Sequence, residues 1–269
     1  MILRHPCVAG YFYEKDKERL KKEVQSHLPS PPIPREEALG IVVPHAGLMY
    51  SGGVAGSVYA SLIFPETFVL LGPNHSGEGI PLSLSASEAW ETPLGRMDVD
   101  EEFAERLLRA IPDLRREEGA HRREHSLEVQ LPFIQLLGAE AKIVPIVLGF
   151  ESVRTYQTVG EILSDVVRDF PRKVLVVASS DMTHYEPHEV VQKKDAVAIE
   201  AILALDEVRL MQKIHEQNIT MCGYAPTVAM LSCVKRLGAK GGRLVQYQTS
   251  GESSGDYSSV VGYAGILIR

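Results

Sequence analysis

Four short stretches of the chain are apolar almost without a break: GIVVP at 40–44, TFVLLGP at 67–73, KIVPIVLG at 142–149 and KVLVVASS at 173–180. Strands with one wet face alternate polar and apolar residues. Near-continuous runs of Val, Ile and Leu suit strands buried on both faces. Segments with helical spacing lie between them, at 53–63, 101–111, 126–137 and 153–169. This alternation predicts an α/β fold, a mostly parallel or mixed central sheet covered by helices on both faces. Upstream, the charged segment 16–28 carries a sparse stripe of Leu20, Val24 and Leu28 and predicts a surface helix, stopped by the proline-rich SPPIPREE. Alternation at 80–86 and the GRMDV segment at 95–99 predict an excursion at a sheet edge. Two further strands, 243–249 and 259–268, flank the polar loop SGESSGDYS, which reads as a solvated turn or, given its length, as a lid. There is no internal repeat.

Composition narrows the picture. A chain of 269 residues, 45% hydrophobic, can bury a large core. One domain spanning 1–269 is expected, with two close-packed halves as the alternative. The 28 basic residues are outnumbered by 35 acidic ones, for a net charge of -7, and no basic cluster offsets them. That excludes the electrostatic footprint of a nucleic-acid binder. The N-terminus lacks the apolar region of a signal peptide, and no apolar run reaches the length of a membrane span, so a cytoplasmic protein without membrane attachment is expected. Three scattered cysteines, Cys7, Cys222 and Cys233, argue against a disulfide framework and fit a reducing compartment. An edge strand near the C-terminus leaves homo-oligomerisation open.

In open α/β sheets ligands gather beyond the carboxyl ends of the strands. His45 follows GIVVP, His75 follows TFVLLGP, and His184 follows KVLVVASS with Asp181 three residues before it. One histidine at such a place is as readily structural as functional. Three at equivalent places point to a shared site. Cys222 precedes a helix whose first turn accommodates Pro226, so the helix dipole should favour its thiolate. Cys233, inside that helix, reads as core, and Cys7 as core or rim. In GAHRREHSLEVQLPF, Glu124 and Glu128 balance the dipole and nearby arginines. His125, if turned inward, could assist proton transfer or bind a substrate anion.

Two imidazoles and a thiolate (His45, His75 and Cys222) form a soft, open ligand set suited to iron, copper or zinc and unsuited to magnesium or calcium. His184 and Asp181 would be its acid–base pair, with Asp181 fixing the imidazole tautomer. A metal-free alternative has Cys222 as nucleophile, His184 as base and Glu128 as orienter. HExxH, CxxC, Walker and GxGxxG motifs are all missing from the sequence.

RHPCVAGYFY, VPHAGLMYSGGVAG, LLGPNHSG, ETPLG, EHSLEVQLPF, VASSDMTHY and TMCGYAP, in this order and spacing, resemble the Memo family, whose prokaryotic members are also labelled AmmeMemoRadiSam system protein B. The resemblance spans nearly the whole chain. It implies a fold similar to class III extradiol dioxygenases, which hold non-haem iron with two histidines and a carboxylate. It places His45 and His75 on those two histidines, puts Cys222 where the family has a pocket cysteine instead of the carboxylate, and sets His184 near the general-base histidine. His125 falls in the family's EHS segment. A thiolate alters the metal's charge and potential, so ring cleavage does not carry over. The resemblance implies a metal-dependent redox or oxygenase-like enzyme with a single transition metal, iron foremost, acting on an unnamed small molecule or peptide, with a functional link to a radical-SAM protein. The other reading is a non-catalytic binding or signalling module that reuses the pocket.

Overall fold

The computed structural model describes residues 2–138 and 140–269. The chain opens with a short strand, β1 (Leu3–Arg4), and helix α1 (Lys17–Ser26). The Asp16 carboxylate caps α1 by accepting the Arg19 N–H at 3.0 Å, and Leu20 and Val24 bury its inner face. Next come β2 (Gly40–Val43), α2 (Leu48–Ala60) and β3 (Thr67–Pro73). A run of small elements follows: β4 (Leu82–Leu84), β5 (Ala89–Thr92), β6 (Gly95–Asp98), α3 (Glu101–Ala110), β7 (Arg115–Arg116), α4 (Gly119–Arg122) and, after a 3-10 turn, α5 (Leu131–Leu137). The second half contains β8 (Lys142–Leu148), α6 (Val153–Arg168), β9 (Val174–Ser179), β10 (His184–Glu186), α7 (His188–Leu203), α8 (Glu207–Gln217), α9 (Tyr224–Arg236), β11 (Gly242–Thr249), α10 (Gly251–Ser254) and β12 (Val260–Ile268).

The main sheet runs β10-β12-β2-β9-β3-β8-β4-β7, with β11 paired to β12. Its centre is parallel: β2, β9, β3 and β8 all point the same way. Antiparallel strands flank it, β12 beside β2 and β4 beside β8. The expected mixed α/β sheet is therefore present, and the four apolar runs are its four central strands. Almost every residue in them is buried, which is why they lack alternation.

The edge excursion resolves into two sheets. Strand β4 extends the main sheet, whereas β6 joins β5 and β1 in a separate three-stranded sheet. Helix α2 starts earlier than its pattern suggests, because Gly52, Gly53 and Gly56 dilute the apolar signal of its first turns. Helices α7 and α8 were not anticipated. Yet Val191, Asp195, Ala198, Ile199 and Ile202 form the buried stripe of α7 at helical spacing. Among the described residues, no helix is long and apolar enough to cross a membrane.

Helix α9 lies against β2, β9 and β3 and is held there by α6. The two helices meet at Gly160, where a Cβ would come within 2.1 Å of the Ala229 carbonyl oxygen. A single methyl group must therefore push the helices apart. Gly160→Ala is expected to cost about 1–3 kcal/mol, typical of overpacking, and to lower the denaturant midpoint. An unchanged midpoint would show that α6 and α9 do not meet this closely.

Candidate metal centre

Strands β2, β9 and β3 are neighbours and parallel, so their carboxyl ends form one rim. His45 stands just beyond β2, His75 just beyond β3, and Asp181 just beyond β9. Together with His125, His184 and Cys222, all of them line one pocket of about 770 Å³. The six sequence candidates thus share a single hollow.

One grouping within the pocket is made of imidazoles. One ligand atom each from His45, His75 and His125 lies within 4.8 Å of the others. The His75 and His125 rings stack at 4.6 Å between centroids, and His45 meets both edge-on. His45 is only 1% exposed. The side chains of His75 and His125 are 33% and 21% exposed, so the group is sealed behind and open in front.

A hydrogen-bond chain sets the tautomer of His45. Tyr59 donates its hydroxyl to Gln130 Oε1 at 3.0 Å, which leaves Gln130 Nε2 to donate to Ser179 Oγ at 2.9 Å. The Ser179 hydroxyl spends its one proton on the Ser126 carbonyl at 2.7 Å. Ser179 Oγ can then only accept from His45 Nδ1, at 2.9 Å. Nε2 of His45 is left with its lone pair, 3.2 Å from the Cys222 sulfur. Burial, followed by the charges of His125 and His75, keeps the ring's pKa well below 6.5 and the ring neutral.

His75 is oriented by a carboxylate. Its Nδ1 lies 2.9 Å from Glu124 Oε1, and its main-chain N–H donates to Glu124 Oε2 at 2.6 Å. Burial alone would raise the Glu124 pKa. The hydrogen bond and charge of His75, the charge of His125 and the Ser126 N–H outweigh it and hold the carboxyl at about 2. Reciprocally, burial works to lower the His75 pKa, but Glu124 prevails and raises it. His125 has no partner of that strength. Burial lowers its pKa against the pull of Glu124, and Phe12 packs on its ring at 4.7 Å.

Cys222 stands beside this group. Its sulfur is 3.2 Å from His45 Nε2 and accepts the Asp181 N–H at 3.3 Å. The approach depends on Gly223, where a Cβ would lie 2.3 Å from the Ser179 carbonyl oxygen. The thiolate expected from the helix dipole is not favoured: burial first, then the Asp181 carboxylate, push the thiol pKa well up. Asp181 itself does not orient His184. Its Oδ1 accepts the N–H groups of His45 at 2.8 Å and Ala46 at 3.3 Å, while His184 Nδ1 pairs with the Thr220 carbonyl at 2.9 Å. Glu128 is not an orienter of His184 either, being engaged with Arg4 at 2.7 Å, the N–H groups of Cys7 and Val8, and the Tyr13 hydroxyl. Cys233 is buried core and Cys7 half-buried. Ser250, Ser254 and Asp256 put the SGESSGDYS loop on the pocket wall, and Val261 adds the start of β12.

A family model described as Memo-like protein matches residues 4–267. The chain belongs to the Memo family. It is 45% identical over 270 residues to a MEMO1 family protein of Methanosarcina acetivorans, covering all of both chains. MEMO1 family proteins of Methanopyrus kandleri and Aquifex aeolicus are 43% and 44% identical, with 99% of each chain covered in both comparisons. An uncharacterized Escherichia coli K12 protein of known structure is similar in fold, with a TM-score of 0.55 at 11% identity, over 85% of this chain and 98% of that one.

In this Memo-family chain, sequence reasoning overlooked the supports of the site. Ser179 and Gln130 set one ring, Glu124 sets another, Thr220 holds His184, and Phe12 covers His125. Only Glu124 left a usable sign, a carboxylate directly before a histidine.

The buried Arg4–Glu128 pair has a pH signature. Burial alone would raise the Glu128 pKa, but the Arg4 charge and several hydrogen bonds take it below 4.5. The ionised carboxylate therefore contributes stability that is full above the unfolded value of 4.5 and is lost as pH falls through the lower folded value. Glu128→Gln is expected to lose about 3 kcal/mol or more at neutral pH, as when one partner of a buried pair is removed, and to show a flatter acid limb. Urea unfolding of both proteins, at neutral pH and at a series of values below pH 4.5, measures this. Parallel acid limbs would contradict it.

Proposed function

We propose that this protein binds a single ion of a late first-row transition metal through His45, His75 and His125, and uses it in redox chemistry on a small substrate held in the same pocket. One observation carries the reading: three imidazoles converge, each offering a ligand atom within 4.8 Å of the others, and two of them are held through Nδ1. Buried or half-buried imidazoles at an open hollow are a donor set for iron, copper or zinc. Carboxylate–histidine pairing of the Glu124–His75 kind is the usual outer support of such ligands. When bound, iron or copper would supply one-electron chemistry and polarisation of a substrate oxygen.

The chain's own residues divide the remaining tasks. His184 gives its Nδ1 proton to Thr220 and so presents Nε2, which can take a proton from a substrate in the pocket. Phe12, Tyr50, Tyr185 and Tyr263 offer rings against which a substrate packs, and the Ser250–Ser259 side supplies hydroxyls for orientation. Cys222, held as a thiol at 3.2 Å from His45 Nε2, is an additional soft donor next to the imidazoles. Iron is the first candidate for the ion, with copper and zinc compatible with the same donors.

Anaerobic purification followed by elemental analysis is expected to find metal in the wild-type protein and none in His45→Ala. Glu124→Gln should weaken metal binding by about 10- to 100-fold, the usual cost of losing an outer partner. Cys222→Ser is expected to retain the ion, whereas its loss would put the sulfur in the ligand set in place of His125. Equal metal content in His45→Ala and wild type would sink the proposal. Metal bound in a protein that reacts with no redox substrate would leave the pocket as a binding module.

A further inference from the structure

We infer that Arg4 is a positioning residue for the three-histidine centre, acting from behind on the loop that carries Glu124 and His125. The inference rests on the metal-binding reading above.

Arg4 is 4% exposed and touches neither the pocket nor any of the three imidazoles. Its guanidinium instead spans the loop. Nε donates to the His121 carbonyl at 2.9 Å, Nη2 to the Glu124 carbonyl at 2.7 Å, and Nη1 to Glu128 Oε2 at 2.7 Å. The Arg4 Cζ sits over the Trp90 ring, 4.0 Å from the centroid. Three acceptors on the short stretch from His121 to Glu128 are thus fixed by one rigid fork, a geometry that a lysine ammonium cannot reproduce. From there the chain of contacts to the site is short. Glu124, whose carbonyl is held, grips His75 through its carboxylate, and His125 is the next residue.

A second set of contacts leads the same way. Glu128 also accepts the N–H groups of Cys7 and Val8 and the Tyr13 hydroxyl, so the segment from Arg4 to Tyr13 is fastened along the loop. Within that segment, Phe12 packs on the His125 ring at 4.7 Å, and its carbonyl accepts the Leu48 N–H at 2.7 Å, close after His45. The N-terminal segment therefore clamps the approaches to two of the three histidines. As a mere source of stability a buried ion pair is a poor investment, since apolar replacements often do as well. Its distinctive product here is placement.

The test uses cobalt(II) as probe, because its visible absorption reports ligand number and geometry. Wild type, Arg4→Lys and Arg4→Met are compared as full-length proteins for cobalt affinity, for the visible spectrum at saturating cobalt, and for thermal unfolding without metal. Arg4→Lys is expected to fold, to bind cobalt about tenfold or more weakly, as when an outer partner is lost, and to show an altered spectrum even when saturated. Lower stability alone would leave the saturated spectrum unchanged. A folded Arg4→Lys protein with wild-type affinity and spectrum overturns the inference. If both Arg4 variants fail to fold, Glu128→Gln, which frees one arm of the fork, carries the same test with the same two outcomes. Wild-type protein that takes up no cobalt would instead strike down the metal reading itself.

Discussion

The parallel pairing of β2, β9 and β3 brings three segments, remote from one another in sequence, out of the sheet at one rim and facing one way. Each strand is buried on both faces, so none can slip in register without exposing apolar side chains or leaving backbone groups unpaired. The positions of His45, His75 and Asp181 are inherited from that register. Helix α9 is pressed on the same three strands and meets α6 at Gly160, and Cys222, just before its N-terminus, lines the pocket.

Electrostatics then decides what each imidazole presents to the pocket. A ring buried without a partner for Nδ1 could turn either nitrogen outward. Ser179 removes that choice for His45 and Glu124 removes it for His75. Their means differ: a neutral hydroxyl leaves the first ring weakly basic, whereas a buried carboxylate raises the proton affinity of the second. The centre is therefore asymmetric, with one ring neutral and sealed and the other charge-supported and open to solvent.

Much of this was legible in the sequence, for identifiable reasons. Strands buried on both faces write themselves as unbroken apolar runs, and His45 and His75 follow such runs directly. His125 was harder, because it arrives from the segment between β7 and α5 and not from the end of a central strand. Glu124 and Glu128 read as surface charges, yet both are fully buried. Their partners, His75 and Arg4, are far away in the chain, and no local pattern announces a long-range ion pair. The expectation for Cys222 took the helix dipole into account but not the burial of the sulfur beside Asp181, and burial dominates. Helices α7 and α8 carry a buried apolar stripe that their many charges mask.

The absence of a side chain at Gly223 sets a limit on how this site can vary. Main chain meets main chain there, so the reach from position 222 to the end of β9 is a contact distance fixed by atomic radii. Exchanging the residue at 222 can alter softness, charge or reactivity, but it cannot retract the donor from the ring it faces. Diversification of chemistry in such a scaffold is thereby channelled into the identity of one atom and away from its location.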